Sequence, residues 1–134
     1  MEKQNSTVKY EVVIGINTDG SMINGRRVSP YEECNSRWIS EANKVYEETG
    51  VYVSAISIDG FALYNKDWGC PSYGEYVVVF NCTPNTIEFI KDLDLYEECL
   101  MRIVRKLKEI YDQSTITITK IPSNIIYMSG ENEN

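Results

Sequence analysis

Between Val8 and Asn17 apolar side chains fall on every second position: Tyr10, Val12, Ile14 and Ile16 alternate with Lys9, Glu11, Val13 and Gly15. A two-residue period sends one series to one face of a strand, so this segment is predicted to be a strand with one clearly apolar side. From Pro30 the period changes. Tyr31, Cys34, Trp38, Ala42, Val45 and Thr49 recur at spacings of three and four, with Ile39 and Tyr46 widening the stripe, as on an amphipathic helix. Ser29-Pro30-Tyr31-Glu32 supplies a capping box and a first-turn proline, and Gly50 suits the residue after the last turn. This helix is predicted over 30–49.

Val51 to Cys82 forms the centre of the pattern. Two runs rich in β-branched and aromatic residues, VYVSAISIDGFALY and EYVVVFNC, flank the loop Asn65 to Gly74 and read as a β-hairpin. Asp59-Gly60 interrupts the first run as a bulge or as a turn. In the second run Tyr76, Val78, Phe80 and Cys82 share one face, while Val77, Val79 and Asn81 share the other. Thr83 to Asp92 reads as a loop. Asp94 with Glu97 makes a second capping box, and Tyr96, Cys99, Leu100, Ile103, Leu107 and Ile110 carry a second helix to about Gln113. A last strand, Ser114 to Ile121, is expected to stop at Pro122. TDGSMINGRRV, after the first strand, is a long loop or a small extra hairpin.

The element order is therefore strand, helix, strand, strand, helix, strand. That is the split βαβ of the ferredoxin-like α+β sandwich: a four-stranded antiparallel sheet with two helices on one face. The boundaries expected are a mobile leader at 1–7, a single domain at 8–128 and a disordered tail at 129–134. The topology implies no function, because this fold hosts many.

Charge and composition narrow the options. A formal net charge of −7 and a pI near 4.6 disfavour direct nucleic acid binding, which depends on Lys and Arg neutralising phosphates, and they disfavour an anionic membrane. No run has the length of a membrane span and the first ten residues lack a secretory core, which points to the cytoplasm. There Cys34, Cys70, Cys82 and Cys99 would be reduced, at spacings that match no zinc pattern. Histidine is absent, which removes every mechanism built on a His base or a Cys-His or Ser-His pair. Asn17, Asp19 and Ser21 open like a calcium loop, but Met22 and Val28 stand where Gly and Glu are required. No metal and no cofactor are expected.

Two surfaces remain as candidates. The hairpin loop gathers Tyr64, Asp67, Trp68, Cys70, Tyr73 and Tyr76, the aromatic and polar mixture of a ligand pocket or partner hot spot. The sheet face turned away from the helices carries Val13, Val77 and Val79, too apolar to be solvated. Either a second copy, as a homodimer, or the tail residues Ile125 to Met128 are expected to cover it. Taken together the sequence reads as a small protein that acts by binding a protein partner or small ligand and not as an enzyme. The rival readings are an acidic, nucleic-acid-mimicking inhibitor and a small enzyme using Cys70 or paired carboxylates.

Overall fold

A computed structural model describes residues 2–17, 20–67, 74–84, 92–113, 115–128 and 130, the backbone alone at 2–5 and 21. Its elements are β1 (Glu2–Gly15), β2 (Ser21–Ile23), β3 (Arg26–Val28), α1 (Pro30–Thr49), β4 (Ile56–Leu63), β5 (Gly74–Cys82), α2 (Leu93–Ile110) and β6 (Thr117–Met128). The long strands form one antiparallel sheet in the order β4-β5-β1-β6, and β2-β3 is a separate two-stranded hairpin. With that hairpin set aside, order and pairing are those of the ferredoxin-like α+β fold.

Both helices pack on one face. Tyr10, Val12 and Ile14 of β1 and Val78, Phe80 and Cys82 of β5 meet Cys34, Trp38 and Val45 of α1 and Tyr96, Cys99, Leu100, Ile103 and Leu107 of α2, all of them buried. The indole of Trp38 stacks on Phe80 at 4.2 Å between ring centroids and 14° between planes. Of the capping box expected for α1, the Ser29 side chain accepts from the Glu32 N–H while the Glu32 carboxylate pairs with Arg26, and Gly50 takes a left-handed φ of 75° that a residue with a Cβ resists.

Several features differ from the sequence reading, among them the start of β4 at Ile56, after the first five residues of its apolar run, and of β6 at Thr117. The leader is part of the sheet: Glu2 to Thr7 pair with Ser123 to Met128, so β1 begins at residue 2. Asp59-Gly60 neither bulges nor turns, because β4 stays in register on β5 through Asp59–Val78 and Gly60–Val77. The cap of α2 is Asp92, whose carboxylate accepts from the Leu95 N–H at 3.0 Å, two residues before the Asp94–Glu97 box. Lastly, β6 runs through Pro122 to Met128. It is an edge strand with β1 as its only neighbour among the described residues, so a residue without an N–H is tolerated opposite Val8. Ile125 to Met128 are therefore committed to β6 and are not a cover for the open face. Residues 129 and 131–134 lie outside the described residues.

The segment between β1 and α1 is the small extra hairpin. Asn24 and Gly25 both have positive φ, 52° and 76°, the two-residue turn whose twist suits paired strands.

Candidate active site

Alternation along β1 and β5 sends Val13 and Gly15, with Glu75, Val77 and Val79, to the face opposite the helices, and the pairs Val13–Val79 and Gly15–Val77 bring the two series side by side. At one end of that face lies a cleft of about 550 Å³, within the range of small-molecule sites. Its floor is Val13, Gly15 and Val77; its walls include Tyr64, just beyond β4, and Glu75, at the start of β5. The turn after α2 closes it with Asp112 and Gln113.

Tyr64 Oη donates to Glu75 Oε1 at 3.0 Å. The second carboxylate oxygen reaches over Gly15: a Cβ on that residue would lie 2.7 Å from Glu75 Oε2 and 2.7 Å from Gln113 Oε1. A side chain at this point of the strand would have to push the ends of both aside. Gln113 arrives there because α2 ends abruptly. Asp112 adopts a φ of 49°, and the Gln113 N–H bonds back to the carbonyl of Lys108 at 3.0 Å. The carbonyl of Tyr111 then accepts from Asn17 Nδ2 at 2.8 Å and from Gln113 Nε2 at 3.4 Å, holding β1's exit and the α2–β6 turn together.

Tyr111 is itself fixed from the core side. Its buried hydroxyl donates at 3.1 Å to Glu33, a buried carboxylate that also faces Arg37 Nε at 3.6 Å. Burial, and then the neighbouring Cys34 and Glu33, push the Tyr111 phenol well above its ordinary value, so it remains a neutral donor. The cleft's described lining carries two carboxylates, Glu75 and Asp112, and no cationic side chain. It therefore favours a cationic guest.

The candidates from sequence divide across the two faces. Tyr64 lines the cleft, and so do Val13 and Val77, with Val79 next along the same series. Of the loop candidates, Tyr64 thus shares the cleft with Val13 and Val77 of the sheet face. Tyr76 belongs to the other series. It projects on the helix side, 66 % exposed, makes an edge-on contact with Phe61 at 5.1 Å, and borders a smaller cavity of about 170 Å³ with Tyr31 and Asp59. Asp67 is exposed and does not line the cleft. Trp68, Cys70 and Tyr73 lie outside the described residues. Glu75, Gln113, Asn17 and Gly15 were not among the candidates. For Glu75 a signal existed: it falls on the same every-second-residue series as Val77 and Val79, an acid opening an otherwise apolar face. For Gln113 and Asn17 there was none, since they meet only through the Tyr111 carbonyl.

Comparison with known proteins assigns the fold to a family. The sequence model of the SAM lyase family matches residues 5–129. The chain belongs to the SAM lyase family. That membership overturns the expectation of a non-enzymatic binding module and supports the enzyme reading over it. Among solved structures, the chain is similar to a phage SAM lyase in complex with S-methyl-5′-thioadenosine, at 11 % identity over 92 % of this chain and 90 % of that one, with a TM-score of 0.52. It is also similar to a phage SAM lyase in the apo state, at 12 % identity over 94 % and 91 %, with a TM-score of 0.49. Nothing among curated proteins matches. No described helix is long and apolar enough to cross a membrane.

Proposed function

We propose that this protein is an S-adenosylmethionine (SAM) lyase and that the cleft holding Tyr64, Glu75 and Gln113 is its active site. The observation that carries the reading is the Tyr64–Glu75 hydrogen bond at the mouth of an anionic cleft with an apolar floor, in a chain of this family. SAM carries a sulfonium and an ammonium against one carboxylate, so an anionic cleft without cations suits it.

The chemistry follows from the charges. S-methyl-5′-thioadenosine, the molecule bound by the phage relative, retains the sulfur, its methyl group and the adenosyl group, so cleavage that leaves it breaks the bond between sulfur and the side-chain carbon of the amino-acid portion. A lyase adds no water. The substrate's own carboxylate can attack that carbon and close a five-membered lactone while the electron pair of the C–S bond returns to sulfur. A carboxylate and a sulfonium are consumed, a neutral lactone and a neutral thioether are formed, and no proton moves. A protein without histidine can catalyse such a step, since it needs orientation and a suitable electrostatic setting and no general base. Glu75, oriented by the Tyr64 hydroxyl, holds the cationic substrate by charge. Val13 and Val77 exclude water from the reacting carboxylate, which water would otherwise stabilise most in the ground state.

The test is direct. Purified protein incubated with SAM should release S-methyl-5′-thioadenosine and a lactone whose ring oxygen, in water enriched with oxygen-18, carries no label at the moment of formation. Recovery of SAM unchanged would overturn the reading, and label in the first-formed product would replace the lyase step with hydrolysis.

The same face supports self-association. Ile56 and Ile58 of β4 stand on it beside Val79, with Ile56 72 % exposed, and β4 is the sheet's other edge. A second copy seated there would cover them. Light scattering at micromolar concentration should then give at least twice 15.4 kDa, and a persistent monomer mass would remove this part of the reading. The cytoplasm is the compartment proposed, where the free thiols of Cys34, Cys82 and Cys99 stay reduced.

A further inference from the structure

Glu33 is the one carboxylate that the fold buries among the described residues. A glutamate in the first turn of α1 can complement the helix N-terminus from the surface, as its exposed neighbour Glu32 does. Glu33 turns inward instead, where Oε1 accepts the Tyr111 hydroxyl at 3.1 Å and stands 3.6 Å from Arg37 Nε, one turn along the helix. Taking a carboxylate out of water is costly, and a well-packed apolar side chain in its place is often neutral or stabilising, so stability alone does not call for it. What an apolar side chain cannot supply is a fixed acceptor for one hydroxyl. Tyr111 carries that constraint to the cleft. Three elements hold it: its N–H donates to the Leu107 carbonyl in α2 at 3.0 Å, its hydroxyl to Glu33 in α1, and its carbonyl accepts from Asn17 Nδ2, just beyond β1, at 2.8 Å. Asn17 and Asp112, the residue after Tyr111, both line the cleft. Asp112 keeps a φ of 49°, which a residue with a Cβ holds only where its surroundings impose it.

We propose that Glu33 is a positioning residue of the active site: by fixing the Tyr111 hydroxyl it sets the Tyr111 carbonyl, and through that carbonyl the part of the cleft wall made by Asn17 and Asp112. This rests on the SAM-cleaving reading above and adds to it a residue that does not line the cleft. Without the hydroxyl's anchor the ring is free to shift in the core, and the carbonyl shifts with it. A reaction that depends on orientation and not on a general base is sensitive to such a shift, because a misplacement of about 1 Å can cost up to about a hundredfold in rate. The charge that draws in the substrate, on Glu75, lies on another strand and is unaffected. The loss therefore falls on kcat more than on KM.

The experiment measures SAM cleavage and urea unfolding on three variants. Tyr111→Phe, which keeps the ring and removes the donor, should lower kcat by about tenfold with KM changed by less than about threefold. Glu33→Gln keeps an acceptor oxygen and should retain kcat to within about threefold. The double variant Glu33→Leu with Tyr111→Phe removes donor and acceptor together, so neither is left buried and unpaired, and its urea midpoint should stay close to that of the unmodified protein. Its kcat should still be down by about tenfold, no further than in Tyr111→Phe alone, since both lose the same bond. In Tyr111→Phe the Asn17 side-chain amide protons should also exchange with solvent faster than in the unmodified protein, an NMR readout independent of turnover. An unchanged kcat in Tyr111→Phe and in the double variant, or a loss that disappears once the folded fraction is accounted for, would overturn the proposal. So would an Asn17 amide indifferent to the hydroxyl, or a Glu33→Gln variant as slow as the double one. Failure of the unmodified protein to cleave SAM would instead overturn the reading beneath it, while the Asn17 amide would still report whether the Tyr111 hydroxyl sets the wall.

Discussion

The two faces of the sheet use the same strands for opposite ends. On the helix side, Tyr10, Val12, Ile14, Val78, Phe80 and Cys82 are apolar or nearly so, buried, and packed against two helices. On the other side, the neighbouring residues Gly15, Glu75 and Val77 line an open cleft with a carboxylate and a vacant Cβ position at its centre. Each residue on one face is bonded in sequence to one on the other, so the core fixes the cleft to within a side chain's reach. Stability and chemistry are thereby separated by half a strand period. The face proposed to be chemically active is the less buried one.

The largest expected effect breaks the core side of the comparison. Phe80→Ala removes a buried ring stacked on Trp38 and should lower the unfolding free energy by about 3–5 kcal/mol in a urea titration. Below the denaturation range the variant should still cleave SAM; loss of activity in the folded variant would show that the two faces are not separable. The converse substitution, Glu75→Gln, should lower kcat/KM for SAM by roughly a hundredfold, of the order seen when one electrostatic contact to a reacting group is removed, with stability changed by less than about 1 kcal/mol. A large fall in stability with near-normal turnover would reassign Glu75 to the fold.

A smaller effect distinguishes the thiols of the core from reactive ones. Burial pushes the Cys82 thiol up to about 12, and burial also dominates at Cys34, pushed up to about 11 despite a hydrogen bond to Tyr111. In the folded chain these groups keep their protons where the unfolded chain has begun to release them. Stability should thus be unaffected below their ordinary value of 9.0 and decline as pH rises from there toward about 12. Mass spectrometry after alkylation at pH 8 should find Cys34 and Cys82 unmodified until denaturant is added, and prompt labelling in the native state would place them outside the core.

The smallest effect lies at the margin between helix and sheet. Lys120 Nζ approaches Glu97 Oε1 at 2.7 Å, and Tyr10 Oη donates to the same oxygen at 3.0 Å. The Lys120 hydrogen bond, then that of Tyr10, holds the Glu97 carboxyl below its ordinary value. The stabilisation is therefore complete above the ordinary carboxylate range and is lost as pH falls through the lowered value in the folded state. Because the pair is partly exposed, solvent screens it, and Glu97→Gln should only slightly flatten the acid limb of a stability–pH profile. A marked flattening would indicate a stronger coupling between α2 and β6 than the exposed pair implies.

Much of this architecture was legible from residue order. The two-residue period of Tyr10 to Ile16 and of Tyr76 to Cys82, and the helical stripes of Cys34 to Val45 and Tyr96 to Leu107, determined the elements, because each period admits only one geometry with a buried side. The order of those elements determined the sheet, and the apolar series Val13, Val77 and Val79 identified the face on which the cleft lies. Strand ends were less legible. Whether Pro122 ends β6 depends on whether its missing N–H would have met a neighbour, which is a property of the sheet edge and not of the residue. Tyr64 was named from sequence and Glu75 carried a signal there, but their grouping into one site was decided by tertiary structure. Gly15, Tyr64, Glu75 and Gln113 belong to four separate parts of the chain, and no local pattern announces a tyrosine, a carboxylate, an amide and an absent side chain as one constellation. Hydrophobic periodicity is written in neighbouring residues because burial is local to an element; a reactive cluster is assembled across elements, so only the folded chain brings its members within hydrogen-bonding distance.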